Sequence, residues 1–310
     1  MTTACSEAQI KPLSKVLLIT KSLTALCLLY TSKQDRALLS RSETIPTFLS
    51  NTPTDVIEVG KITFQGFCLP LRPQTKKEPV VELRKNKVRP AVPGISIGHY
   101  QITAGTLGAI IQGDFPQGIA LLSNNHILAN GSDGKDGLAY VGDPIMQPGP
   151  YDGGGKNDIL AQLYDFNPYN WISPADYRKG KKPIPNVMDA AVAIPLDPAN
   201  VQNKILGLGF VQGYTEPRPG MFVAKSGRST GTTRGRIISI HNTFYLEDGE
   251  RAYIFEEQFA TTPMSDNGDS GSLITTAAGK KAVGLLFAGS NRITYATPIS
   301  RVLQRFHATL

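Results

Sequence analysis

The sequence predicts a mainly β protein, a barrel or sandwich closed by one C-terminal helix and preceded by a small α+β unit. Three observations carry this expectation. From Pro93 onward about ten short apolar or alternating runs are bounded by Gly, Pro, Asn and Asp, the pattern of many short strands joined by turns. The residues from 298 to 310 have helical spacing, with Ile299, Val302, Leu303 and Phe306 on one stripe. Before residue 70, apolar runs flank a charged stretch at 33–41 that suits a single helix.

In chain order, residues 1–70 form the small unit, with strands expected at 16–20, 23–31 and 56–64. Residues 71–92 read as a linker. Within it "RPQTKKEPVVELRKNKVR" has seven basic and two acidic residues with a proline at each side, the profile of an exposed, solvated stretch. Residues 93–310 are the main domain, with strands expected at 106–112, 118–123, 159–164, 190–195, 222–225, 235–241, 252–255, 272–275, 282–287 and 293–297.

Composition narrows the function classes. A chain of 310 residues with 41% apolar and 18% charged residues can build a real core. The whole excess charge of +7 lies in residues 1–90, and no aromatic residues are interleaved with the basic ones, so no nucleic-acid partner is expected. Cys5, Cys27 and Cys68 all precede residue 91, which leaves the main domain without disulfides and favours a reducing, cytoplasmic location. The apolar stretch 16–30 is broken by Lys21, is too short to span a bilayer and has no cleavage site after it, so two strands and no membrane partner are expected. The glycine-rich loop "GPYDGGGKND" (149–158) lacks phosphate-loop spacing. Four scattered histidines without HExxH offer no metal cluster, so neither cofactor nor metal is expected.

Chemistry centres on Ser270 in "DNGDSGSLI". A serine hydroxyl becomes a nucleophile only beside a general base. His99, His241 and His307 read as surface residues, whereas His126 follows the apolar strand "GIALLSN" and stands where that strand ends. Such a base needs an acid to fix its tautomer. Asp189, directly ahead of the small apolar strand "AAVAIP", is the first candidate, and Asp158 in "KNDILAQL" the second. Gly268, two residues before Ser270, leaves room for a backbone N–H to turn inward, so the N–H groups of Gly268 and Ser270 together can hold an oxyanion. The order His126, Asp189, Ser270 separates this arrangement from those of the α/β-hydrolases and subtilisins.

At "LLSNNHIL", "MDAAVAI" and "NGDSGSLI" the sequence resembles the trypsin-like (chymotrypsin-fold) serine peptidases. "ITAGTLGAII", "GDPIMQPGPYDGG", "KSGRSTGTTRG" and "TTPMSDNGDSGSL" are similar to a disulfide-free bacterial branch related to a plant leaf-width regulator. The resemblance covers residues from about 93 to 310. It implies a double six-stranded β-barrel with a C-terminal helix, and a triad of His126 and Asp189 from the first barrel with Ser270 from the second. It further implies an oxyanion hole of Gly268 and Ser270 N–H, and a specificity pocket with Met264 at its base and Phe287 to Gly289 as its wall. With no acid at the pocket base, a small or apolar residue is expected on the acyl side of the cut bond. The residue after Gly271 is Ser272 where many members carry a second glycine. In many members a freed N-terminus pairs with the acid that precedes the nucleophile, here Asp269. The implied function is a serine endopeptidase acting on protein or peptide substrates, restrained by its N-terminal region until cleavage or a regulatory partner relieves it. Two other readings stay open: an inactive binding or regulatory module on a protease fold, and an esterase using the same triad.

Overall fold

Period-two apolar patterning puts alternate side chains on one face of a strand, and here two sets of such strands close on themselves. The computed structural model describes residues 18–21, 26–30, 48–49, 52–65 and 83–310. Five strands come from the N-terminal part: β1 (Leu18–Lys21), β2 (Leu26–Tyr30), β3 (Phe48–Leu49), β4 (Thr52–Glu58) and β5 (Thr63–Phe64). The helix expected at 33–41 lies outside the described residues.

The first main sheet holds β6 (Ser96–His99), β7 (Gly105–Thr106), β8 (Ala109–Gly113), β9 (Ile119–Ser123), β10 (Pro144–Met146), β11 (Ile159–Phe166), β12 (Ala191–Pro195) and a final β19 (Ala308–Thr309), in the order β19-β8-β9-β12-β11-β10-β6-β7. β7 and β8 lie toward opposite ends of that order yet are separated by only Leu107 and Gly108. Leu107 N donates to Ile95 O and Gly108 N to Leu122 O, each at 2.9 Å. The chain itself therefore draws the two edges together and rolls the sheet into a barrel around Ile97, Leu107, Leu121, Ile145 and Leu163.

The second sheet contains β13 (Phe222–Gly227), β14 (Gly231–Asp248), β15 (Arg251–Thr261), β16 (Leu273–Thr276), β17 (Ala282–Gly289) and β18 (Thr294–Pro298). The run β13-β16-β17-β18-β15-β14 is closed by pairing of β13 with β14, so six strands make a complete ring. All ten runs expected as strands in the main domain fall on strands, with β14 and β15 much longer than the patterning indicates. β1 continues the ring outward by pairing with β14, β2 follows it, and β4 lies parallel to β2. The strands of the N-terminal unit thus extend the second sheet.

Between the barrels lies a shared core in which Ile111 and Leu122 of the first meet Leu273 and Leu285 of the second. The closing helix, Ile299–Arg305, packs onto it with Ile299, Val302 and Leu303. β19 then pairs with β8, and Arg305 makes two hydrogen bonds to Asp165, at 2.8 and 3.0 Å. The C-terminus therefore ties the second barrel back to the first.

Two local expectations are revised. Within 71–92 the described residues 83–92 are not a free tether. Arg84 is fully buried and donates to Gly94 O at 2.8 Å and to Ser226 Oγ at 2.7 Å, while Arg89 binds Gln147. Composition gives a basic run an exposed reading, but a guanidinium is buried readily once carbonyls and hydroxyls meet its N–H fork. His99 is likewise buried, joined to Asp143 at 3.1 Å, rather than on the surface.

The inter-barrel core makes a quantitative expectation. Leu303→Ala removes a nearly buried side chain from a site walled by both barrels, and large-to-small core changes of this kind cost about 2–5 kcal/mol. Urea unfolding of the variant is expected to show a lowered midpoint with an unchanged slope.

Candidate active site

β9 ends at Ser123 and the chain turns at once into the short helix Asn125–Leu128, which carries His126 at the barrel rim. Asp189, two residues before β12, comes beside it because β12 pairs with β9. His126 Nδ1 lies 2.5 Å from Asp189 Oδ2, and the second carboxylate oxygen accepts the Asn125 N–H at 2.7 Å. Asn124 Nδ2 adds a bond to the Asp189 carbonyl at 2.8 Å. Asp189 is fully buried, so its charge is unscreened and aimed at the ring. Tyr169 stands close by, and burial together with the Asp189 carboxylate pushes its hydroxyl well above the ordinary tyrosine range, keeping it neutral.

A second His–Asp pair offers a control. His99 Nε2 meets Asp143, its Nδ1 accepts the Gln101 N–H at 3.3 Å, and burial lowers its pKa against the pull of Asp143. Both ring nitrogens are occupied, so His99 has no lone pair to offer a substrate. His126 differs: its Nε2 is buried and has no hydrogen-bond partner among the described residues. Asp158, the second candidate acid, is engaged with Lys87 at 2.9 Å instead of an imidazole.

The loop carrying Ser270 is built around Asp269. This carboxylate is fully buried and meets Lys225 Nζ at 3.0 Å, Thr230 Oγ1 at 2.6 Å and the N–H groups of Ser229, Thr230 and Asp266 at 2.9, 3.1 and 3.0 Å. Burial alone raises such a carboxyl, but the Lys225 ammonium and these donors outweigh it and hold Asp269 below the usual carboxylate range. The cation that a freed N-terminus supplies in many trypsin-like members is here a lysine from β13. The pattern "FVAKSG" gave no hint of this, because a lone lysine in an alternating strand reads as solvent-facing.

This frame fixes the neighbours of Ser270. Gly268 has a φ of +94°, and a Cβ there would collide with Ser229 and Arg228. Thr106 pins the loop to the first barrel: its N–H donates to Ser270 O at 2.7 Å and its hydroxyl to Gly268 O at 2.9 Å. The Ser270 hydroxyl donates to Phe287 O at 3.0 Å, so it is directed at β17 and not at His126. Of the expected pocket residues, Phe287 and Gly289 lie on β17, which runs past this point, while Met264 packs in the second barrel with Val223 and Ile237.

The geometry brings the His126 and Ser270 sides to one place through two consecutive residues. The Phe64 ring lies 4.8 Å from the His126 ring, centroid to centroid, and the carbonyl of Gln65 accepts the Gly268 N–H. The two adjacent residues Phe64 and Gln65 thus touch the imidazole and the Gly268 N–H respectively. A cleft of about 510 Å³ opens on His126, with Phe64, Ile102, Leu138 and Tyr169 among its walls and Asp248 and Arg251 of the long β14–β15 hairpin above it. Burial raises the Asp248 carboxyl, with His126, Arg251 and Lys61 pulling the other way. Sequence reasoning missed Phe64, Gln65, Tyr169 and Lys225, all of which reach the site across long stretches of chain.

No protein-family model matches the chain, and no curated protein matches it in sequence. Among solved structures, the fold is similar to a chymotrypsin of Cellulomonas bogoriensis at 16% identity and a TM-score of 0.46, over 71% of this chain and 97% of that one. It is similar to protease A of Thermobifida fusca at 18% identity and a TM-score of 0.48, over 71% and 98%. It is also similar to a glutamic-acid-specific serine protease at 13% identity and a TM-score of 0.48, over 71% and 100%. At such identities the chemistry has to be read from this chain's own side chains.

The buried pair makes a prediction. Lys225→Met leaves Asp269 charged, buried and short of its cation, a change that costs about 3–5 kcal/mol in comparable sites. Because the folded pKa of Asp269 lies below its unfolded value of about 3.9, the stability it contributes is full above that pH and is lost as pH falls through the folded value. Asp269→Asn is expected to be less stable at neutral pH and to show a shallower loss on acidification, measured by denaturant unfolding between pH 7 and pH 3.

Proposed function

We propose that the chain is a serine endopeptidase. In this reading Ser270 is the nucleophile, His126 the general base and then acid, and Asp189 the carboxylate that fixes the imidazole tautomer. The N–H groups of Gly268 and Ser270 receive the oxyanion. The observation that carries the reading is the state of the His126 ring: Nδ1 is tied at 2.5 Å to a fully buried carboxylate, while Nε2 has no partner among the described residues and the adjacent residues Phe64 and Gln65 meet the ring and the Gly268 N–H. Rotation of the Ser270 hydroxyl from Phe287 O toward Nε2 completes the relay.

The quoted motifs support assignment to a disulfide-free bacterial branch related to the plant leaf-width regulator. The position of all three cysteines before residue 91 supports work in a reducing cytoplasm. Protein or peptide substrates are supported by the extended segment β5, which lies along β17 and puts Phe64 in the wall of the cleft at His126. The small unit of residues 1–70 is the natural place for a regulatory partner to act, since its strands lead directly into the segment that meets His126. Among the described residues, no helix is long and apolar enough to cross a membrane.

Labelling by a fluorophosphonate tests the assignment. Ser270→Ala is expected to abolish it, His126→Ala to slow it by about 10⁴- to 10⁶-fold, and Asp189→Asn by about 10⁴-fold through the wrong tautomer. Undiminished labelling of Ser270→Ala would remove Ser270 from the site.

A further inference from the structure

β17 carries an open edge beside the nucleophile. Its first part is flanked on both sides, by β16 at Ala282–Leu285 and by β18, but β16 goes no further, and at Ala288 and Gly289 only β18 occupies one side. Unpaired strand edges bind extended peptides by adding a strand. Here the added strand comes from the same chain: β5 runs antiparallel to β17, with Phe64 opposite Ala288 and Thr63 opposite Gly289.

The next residue, Gln65, stands where a substrate's acyl residue must stand. Its N–H donates to Phe287 O at 3.1 Å, the same carbonyl that accepts the Ser270 hydroxyl, and its own carbonyl accepts the Gly268 N–H. Its carbonyl oxygen therefore sits on the Gly268 N–H, one of the two proposed oxyanion donors. Its side chain is buried against β17, close enough to Gly289 that a Cβ on that glycine would lie 2.5 Å from the Gln65 Nε2. The preceding residue, Phe64, covers the His126 ring and stacks with Tyr169 at 5.8 Å. Val59 and Ile62, also buried, anchor the segment in the aromatic core of the second barrel, and Ser290 Oγ bonds Val59 O.

We infer that residues 63–65 are bound as the acyl-side half of a substrate, and that the enzyme cuts its own chain at the Gln65–Gly66 bond. This rests on the peptidase reading above and adds the identity of a substrate to it. The step balances. The Ser270 oxygen adds to the Gln65 carbonyl carbon while its proton passes to His126 Nε2, and the oxyanion is held by the Gly268 N–H. His126 returns the proton to the Gly66 nitrogen, the C–N bond breaks, and Gln65 is left as an ester of Ser270. A water deprotonated by His126 then hydrolyses the ester, releasing the Gln65 carboxylate and restoring the serine. The class of substrate follows: an aromatic residue, then an uncharged residue of glutamine's length. Gln65 Oε1 is buried with no partner among the described residues, so a glutamate or lysine would bring an uncompensated charge to the same place. This replaces the small or apolar acyl residue expected from sequence.

The full-length protein is incubated at neutral pH and followed by intact mass and N-terminal sequencing, beside its Ser270→Ala and Gln65→Arg variants, each also treated with a fluorophosphonate. The wild-type chain is expected to yield fragments 1–65 and 66–310 with a new terminus at Gly66. Ser270→Ala should stay intact, and Gln65→Arg should be cut at least tenfold more slowly yet labelled at least as fast, since its segment no longer fits the cleft. The fluorogenic peptide Ile-Thr-Phe-Gln-aminomethylcoumarin should be cleaved by the Gln65→Arg protein at least tenfold faster than the same peptide ending in Glu or Lys. Labelling of the wild type or of Gln65→Arg with no terminus at Gly66, or with a first terminus elsewhere, would overturn this inference alone. Absence of labelling in both would overturn the peptidase reading with it.

Discussion

The arrangement around Ser270 depends on one buried carboxylate. Asp269 draws together Lys225 from β13, the Ser229–Thr230 turn and the backbone of its own loop. A charge buried this deeply is tolerated only if its hydrogen-bonding capacity is filled, and five donors fill it. The conformation that satisfies Asp269 is also the one that turns the Gly268 N–H inward. Arg84, reached from outside the barrel, bonds Ser226 beside Lys225 and extends the same cationic cluster. The loop is thus ordered by groups internal to the main domain, and nothing need be inserted from a cleaved terminus to form it.

The other half of the site is organised by the same logic with the opposite charge arrangement. Asp189 has no lysine. Its two oxygens are taken by a backbone N–H and an imidazole, so its hydrogen bonds fix the orientation of the His126 ring. Thr106 couples the halves, since its backbone and hydroxyl reach Ser270 and Gly268 while Ser123, just ahead of the His126 helix, donates to its carbonyl at 2.8 Å. Relative motion of the barrels would have to break these bonds and open the shared apolar core. The relative placement of His126 and Ser270 is therefore tied to these bonds and to that core.

Much of this was legible in the sequence, for definable reasons. Short alternating runs between turn residues located the strands, and a stripe of four apolar residues located the closing helix, because both depend on local periodicity. His126, Asp189 and Ser270 stood out because each sits at the end of a recognisable apolar run. What periodicity cannot show is long-range pairing. Nothing local to Lys225 marks it as buried, because its partner Asp269 lies 44 positions later and meets it only in the folded core. His99 and Arg84 were assigned to the surface because their partners, Asp143 and the Ser226 hydroxyl, are likewise remote in sequence. "ITFQ" (62–65) has no special composition, and its place in the cleft follows only from pairing with a strand more than 200 residues further on.

That pairing also sets the terms on which any other peptide enters. β5 forms only two residue pairs, and its hold comes mainly from Phe64, Ile62 and Val59, each of which contributes roughly 1.5–3 kcal/mol if fully buried. Joined to the same chain, this segment competes at an effective concentration in the millimolar range, so a substrate in trans must bind better than the tethered one or wait for it to leave. Cleavage after Gln65 would turn the tether into a separate fragment, but β1 on that fragment remains paired to β14, with β2, β4 and β3 following it, and the new carboxylate would stay near the Gly268 N–H. Cutting alone would then leave the cleft occupied. Full release requires peeling β1 from β14 as well as β5 from β17; among the described residues β1 meets β14 at the pair Ile19 and Thr243. Release of the segment from the cleft is thus coupled to the pairing of β1 with β14, a strand of the second barrel.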